Sequence, residues 1–261
     1  MRFPGKRKNK HYFPVSEKAL NNLSQDTRGA HDQYIVGIEQ LIIDIVVEAC
    51  DDELSSWALE KAQSSIVSDE LMDKMYYYYK EKEKITGVYP GGSIGNTLHN
   101  FSLLSDTSSY ALGCINKLIE VGDYSFSYIC ATNANVKLNH IQPKAKPLAR
   151  ALCLVTEDGE RTFAISRGCM DELDINLIPR ELIHHTSMIL LSSYILRDTD
   201  SLIAKASEKI CLEAKNKNIP IAFSLASALI IREKKEFISE FVEKYCNVLA
   251  GNLDEAYAYT G

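Results

Sequence analysis

The tightest constraint on this chain lies in its last third. From Pro179 onward, helical stretches alternate with short apolar runs. A helical turn leads into the run 188–192, a helix over 201–218 into 221–225, and a helix over 231–245 into 247–250. Short runs rich in Ile, Leu and Val read as strands buried on both faces. Helices alternating with such strands predict a parallel sheet with right-handed crossovers. Ligands then gather beyond the carboxyl ends of the strands. The chain is therefore expected to be α/β.

The earlier chain fits the same plan. Residues 34–38 read as a short apolar strand, and 41–47 as a second β-rich run with Asp44 in its middle. Asp44 interrupts a series of Ile and Val. If buried, its carboxylate needs hydrogen-bond donors, and a sugar diol supplies two. If it marks an exposed edge it needs none, and both readings stand at this point. Ser68 opens a helix to about residue 84, with Asp69 and Glu70 where carboxylates suit the helix dipole. Tyr76 to Tyr79 cannot all share one face of that helix, so some are expected at the surface. Residues 110–115 read as a strand containing Gly113, and 124–131 as a helix after Gly122-Asp123. The runs 151–156 and 161–166, joined through Asp158-Gly159, form the clearest hairpin.

Between the helix of 68–84 and the next apolar run stands Gly91-Gly92-Ser93-Ile94-Gly95-Asn96-Thr97. Glycine lets the backbone take φ > 0 and press against a neighbour or ligand. Asn96 and Thr97 are expected to start and cap the following helix. A phosphate loop would need Lys before the Ser/Thr, and Asn96 stands there instead. The stretch reads as a capped turn or as a turn that holds a neutral, hydroxyl-rich ligand.

Composition excludes several classes. A net charge of −6 argues against nucleic acid as a partner. Seven scattered cysteines without C-x-x-C argue against a disulfide framework and a zinc site, and for a reducing cytoplasm. No apolar run approaches membrane-spanning length. The first ten residues carry Arg2, Lys6, Arg7, Lys8 and Lys10 without the apolar core of a signal peptide. Residues 1–33 are thus read as a basic leader and amino-terminal extension, and 34–261 as one domain. No histidine has a spaced partner for a metal, and no nucleophile, base and orienter can be assembled from sequence order.

Taken together, these residues resemble the ribokinase-like (PfkB-type) family of carbohydrate and nucleoside kinases. Gly37-Ile38-Glu39-Gln40 followed by Leu41-Ile42-Ile43-Asp44 looks like the family's first strand and its ribose-binding aspartate. The seven residues from Gly37 to Asp44 are similar to the adenosine kinase branch and longer than in ribokinase. Gly91-Gly92 with Asn96 looks like the Gly-Gly-x-x-x-Asn sugar signature. Residues 113–122 resemble the glycine-bearing strand and turn that follows, although the Gly-Asp pair expected early there is missing. Asn252-Leu253-Asp254-Glu255 looks like the Asn-x-x-Glu motif that helps place magnesium and phosphate. The leader segments Phe3 to Lys8 and His11 to Val15, with Gly159 to Ser166, are similar to the branch acting on inosine and guanosine.

The resemblance implies a three-layer α/β/α sandwich with a mainly parallel sheet and a small β lid, part of it near 41–49. It implies transfer of the ATP γ-phosphate to the 5′-hydroxyl of inosine or guanosine, a step in purine salvage. Asp44, Gly91, Gly92 and Asn96 would bind the nucleoside. Asn252 and Glu255 would act through Mg2+ and its waters, with no direct metal ligand expected. The family's catalytic base lies in a Gly-Ala-Gly-Asp motif beyond Asn-x-x-Glu, and no such segment occurs up to Gly261. No catalytic residue is therefore expected within the chain, its carboxyl-terminal part is expected to be missing, and residues 1–261 alone are expected to be inactive. A nucleoside- or sugar-binding protein without catalysis, and a sugar kinase of the same family, are the alternatives.

Overall fold

The computed structural model describes residues 33–105, 107–132 and 135–261. The leader of residues 1–32 lies outside them. In chain order the strands are β1 (Ile35–Ile38), β2 (Ile42–Glu48), β3 (Ser64–Val67), β4 (Ile85–Gly91), β5 (Ser109–Leu112), β6 (Cys114–Asn116) and β7 (Val136–Lys137). Then come β8 (Gln142–Lys144), β9 (Ala149–Val155), β10 (Arg161–Ser166), β11 (Met188–Ser192), β12 (Ile221–Ser224) and β13 (Val248–Ala250). The helices are α1 (Asp51–Ser56), α2 (Asp69–Glu81), α3 (Ser93–Leu104), α4 (Tyr124–Ala131) and α5 (Arg180–His184). They continue with α6 (Leu202–Asn216), α7 (Ala228–Glu233), α8 (Lys235–Tyr245) and α9 (Leu253–Thr260).

The main sheet runs β13-β12-β11-β1-β5-β7, and every neighbouring pair is parallel. Side chains alternate across it. Val36, Ile38, Ile189, Leu191, Ile221 and Phe223 join the cluster formed with Ile203 and Ile210 of α6 and Ile238 and Phe241 of α8. Ile35 and Ala111 instead meet Ile94 and Leu98 of α3. The two clusters are the two helix layers, and the α/β/α sandwich follows from them. Helix α6 shows why its sequence suits this place. Ser201 caps it by accepting from the Ala204 N–H, and Ile203, Ala206, Ile210 and Ala214 form one apolar stripe.

The strand expected over 41–47 belongs to a second sheet, β3-β10-β9-β2-β4. Its β9–β10 pair is the hairpin read from Asp158-Gly159. One face of this sheet, with Ile43, Ile45, Val47, Leu152 and Leu154, packs on Met72, Met75 and Tyr79 of α2. The other face carries Ile42, Ala149, Ala151, Phe163 and Ile165. Of the four tyrosines, Tyr79 is buried and Tyr77 exposed.

Three local expectations are corrected. Residues 85–91, unassigned from sequence, form a strand that pairs Asp44 with Tyr89 and Ile42 with Gly91; Gly87, Pro90 and Gly91 mask its pattern. The strand expected over 110–115 is split between two sheets at Gly113, where a Cβ would come 2.6 Å from the Glu39 carbonyl oxygen. The helix expected over 231–245 is α7 and α8, broken at Lys234 (φ −121°, ψ 25°). Among the described residues no helix is long and apolar enough to cross a membrane.

Candidate functional site

Parallel strands put their carboxyl ends on one edge, so the turn after β1 opens there. Glu39 is the first residue of that turn and is 2% exposed. A buried carboxylate must be satisfied. Its Oε1 accepts from the Gln40 N–H at 2.8 Å, and its Oε2 accepts from the N–H groups of Ile94 (2.5 Å) and Gly95 (2.9 Å). Those last two are free amides of the first turn of α3. Glu39 therefore caps the helix from a distant strand. Burial pushes its pKa up to about 7, and the adjacent charge of Asp44 adds to this, while the three backbone donors pull the other way.

This corrects the expected cap. The helix starts at Ser93 with Gly92 as its N-cap, so Asn96 ends the first turn and Thr97 begins the second. The Thr97 hydroxyl donates to the Ser93 carbonyl. Gly92 has φ +96°, a value open to glycine, and a Cβ there would stand 2.8 Å from the Glu39 carboxyl. A Cβ on Gly91 would stand 2.6 Å from both carboxylate oxygens of Asp44. The glycine pair is thus pressed against two carboxylates, one per glycine.

Asp44 lies on the face of β2 opposite to Ile43 and Ile45, and it lines a cavity of about 250 Å³. Gly92, Ser93 and Asn96 line the same cavity. Among the described residues, no side chain or backbone N–H donates to the Asp44 carboxylate, and burial without donors pushes its pKa up to about 6. The exposed Asn96 side chain likewise has no hydrogen-bond partner among them. The apolar walls come from Ile42, Ala151, Phe163, Ile165 and Met170, with Tyr194 and Arg197 from the turn after β11. Gln40 joins from below, its amide donating to Asp171 at 2.5 Å, and Asp171 also accepts from Arg167 at 3.1 Å.

Asn252 and Glu255 are placed elsewhere. They do not line this cavity. The Asn252 side chain accepts from the Glu255 N–H (2.8 Å), and the Glu255 carboxylate accepts from the Asn252 N–H (3.0 Å). This reciprocal box starts α9 directly after β13, at the same sheet edge. Among the described residues no group of three or more His, Cys, Asp or Glu could hold a metal ion.

Sequence reading missed Glu39, Tyr194 and Arg197 as site residues. A signal existed for Glu39, an acidic side chain one residue past a buried parallel strand. Arg197 follows a short apolar turn, and nothing local marks it.

Comparison with known proteins is consistent with this geometry. No protein-family model matches the chain. The chain is 36% identical over 263 aligned residues to guanosine-inosine kinase of Escherichia coli K12, covering 100% of the chain and 61% of that enzyme. The chain thus spans less than two thirds of this relative's length. A probable sugar kinase from Rhizobium etli superposes with a TM-score of 0.75 at 18% identity, over 87% of this chain and 67% of the other. Anopheles gambiae adenosine kinase, in complex with P1,P4-di(adenosine-5) tetraphosphate, superposes at 0.74 and 18% identity, over 89% and 70%. At that identity the two structures speak for the fold alone.

Proposed function

We propose, from the premise that this chain is a homologue of guanosine-inosine kinase throughout and has the ribokinase-like fold, that it belongs to a purine nucleoside kinase. The reaction is transfer of the ATP γ-phosphate to the 5′-hydroxyl of inosine or guanosine. The observation that carries this reading is the unpartnered carboxylate of Asp44, set in a cavity with Asn96 and the glycine pair. A ribose offers two adjacent hydroxyl donors to such a carboxylate. Asp44 accepts from the 2′- and 3′-hydroxyls, Asn96 contacts a ribose hydroxyl, and Gly91 and Gly92 let the backbone approach the sugar. Residues 34–261 form the kinase domain, and the second sheet is its lid, which keeps competing water from the acceptor site.

Phosphoryl transfer asks a protein for positioning and charge stabilisation more than for covalent chemistry. Magnesium ATP, when bound, supplies the phosphoryl group. Asn252 and Glu255 stand at the carboxyl end of β13, on the sheet edge where the turn after β1 also opens. They serve the phosphate side. No residue of the 261 is assigned as the base, since none forms a Gly-Ala-Gly-Asp segment. Cysteine usage supports work in the cytoplasm. The test is to titrate residues 1–261 with inosine by calorimetry and to assay them with inosine, ATP and magnesium. Inosine binding without turnover supports this division of labour. Full turnover would put an unrecognised base within these residues. No inosine binding would overturn the nucleoside reading.

A further inference from the structure

We infer that Arg197 reads the 6-oxopurine edge of the nucleoside base, and so sets preference for inosine and guanosine over adenosine. The inference rests on the nucleoside reading above and assigns the other end of the same cavity.

The sheet register places the parts. On the cavity face, Asp44 of β2 pairs with Ala151 of β9, Ala151 pairs with Ile165 of β10, and Phe163 of β10 pairs with Ser64 of β3. Asp44 and Ser64 are therefore three strand spacings apart, roughly 14 Å at about 4.8 Å per spacing, with a further offset of two residues along the strands. A ribose held at Asp44 leaves its base over Ala151, Ile165 and Phe163, a flat apolar floor suited to a purine ring. Beyond that floor the cavity ends at Ser64, and Arg197 lines it there. Arg197 also lines the adjoining cavity, together with Ser64, Gln63 and Ile66 of the same sheet edge.

Arg197 is half-buried, and among the described residues its guanidinium makes no hydrogen bond or ion pair. Its guanidinium lies over the Tyr194 ring, 5.5 Å from the centroid, and the Tyr194 hydroxyl is spent on the Ala226 carbonyl. Asp171 and Glu233 attract Arg197 without forming an ion pair with it, while Arg167 repels it. Asp171 is already held by Gln40 and Arg167. Burial pulls the guanidinium pKa below its usual value, as expected for a cation lacking a counter-ion. A fork of N–H donors with no acceptor among the described residues matches the O6 and N7 acceptors of hypoxanthine and guanine. Adenine presents an amino donor in place of O6, and that donor meets a donor.

The test compares three ribonucleosides by calorimetry on the full chain: inosine, adenosine, and purine riboside, which lacks any 6-substituent. The wild type is expected to bind inosine roughly ten- to a hundredfold more tightly than the other two. Arg197→Met should bring inosine down to purine riboside. Arg197→Gln should move preference toward adenosine, because an amide can accept from N6 and donate to N7. Equal wild-type affinities for inosine and purine riboside would overturn the inference without any substitution. So would folded Arg197 variants that keep the wild-type ratio, or that lose all three nucleosides alike. A wild type that binds none of the three would overturn the nucleoside reading itself, whereas binding without discrimination sinks only the role of Arg197.

Discussion

Two regions on one edge of the main sheet differ sharply. Around β1, β2 and α3, the backbone is fixed by a buried carboxylate and the glycine pair, and among the described residues the Asp44 carboxylate and the Asn96 side chain are left without hydrogen-bond partners. Glu39 fixes the first turn of α3, and Gly91 and Gly92 touch the two carboxylates. Around β13 and α9 the polar pair Asn252–Glu255 is satisfied mainly by itself, and its apolar neighbours face outward. β13 is an edge strand in which Val248 is 48% and Leu249 40% exposed, and Leu253 and Tyr257 beside it are 69% and 64% exposed. The described residues thus enclose a cavity beside β1, β2 and α3, whereas beside β13 and α9 they leave apolar surface open.

The sharpest break of that contrast comes from glycine substitutions. Gly91→Val puts a branched Cβ where 2.6 Å separates it from the Asp44 oxygens, so inosine affinity should fall more than a hundredfold. Gly251→Ala on the other side meets the ends of the flexible Leu225 and Glu255 side chains, and should leave affinity within about twofold. Equal losses at both positions, measured by calorimetry, would erase the distinction.

Next in size is Glu39→Gln, which keeps shape and removes charge. Loss of a charge-assisted cap to two amides should weaken inosine binding about tenfold, through a shifted glycine turn. It should also flatten a pH effect. Burial raises Glu39 from 4.5 to about 7 and Asp44 from 3.8 to about 6. The folded chain thus binds more protons than the unfolded one between about pH 4 and 7. This contribution to stability is present in full at low pH and is lost as pH rises through 6 to 7. Denaturant midpoints across that range should show the fall in the wild type and less of it in Glu39→Gln. A wild-type midpoint that rises over the window would contradict the shifts.

Asn252→Ala should cost about 1 kcal/mol of stability by removing the cap of α9, with inosine affinity unchanged. A nucleoside effect here would join the two regions. The smallest effect is expected at the edge strand. Leu249→Lys should reduce concentration-dependent association in light scattering without shifting Tm, because charge blunts an open strand edge.

Much of the fold was legible because it rests on local pattern. The alternation after Pro179 gave β11, β12 and β13 within a residue or two, and Ser68 and Ser201 marked true helix starts. What failed was decided by tertiary contact. Gly92 with Glu39 took over the cap that Asn96 and Thr97 offered locally, and the chain passes from one sheet to another at Gly113, where a side chain would clash with Leu41 and the Glu39 carbonyl. Pairing on both sides of β2 removes the exposed-edge reading of Asp44. With β4 and β9 flanking β2, Ile42 and Asp44 line the cavity from one face of the strand. Arg197 was illegible because its meaning depends on a strand more than a hundred residues earlier, at Ser64.

Whether Asp44 holds the ribose is decided by inosine calorimetry on the wild type and Asp44→Asn. Asparagine keeps the size and removes the charged acceptor. A loss of roughly 1.5–3 kcal/mol, about ten- to 150-fold in Kd, is expected, with the variant folded and melting no lower than the wild type. Wild-type affinity should also rise as pH passes upward through about 6, where Asp44 ionises, and the variant should show no such rise. Equal Kd values for the two proteins at pH 7.5 would contradict a ribose held by Asp44.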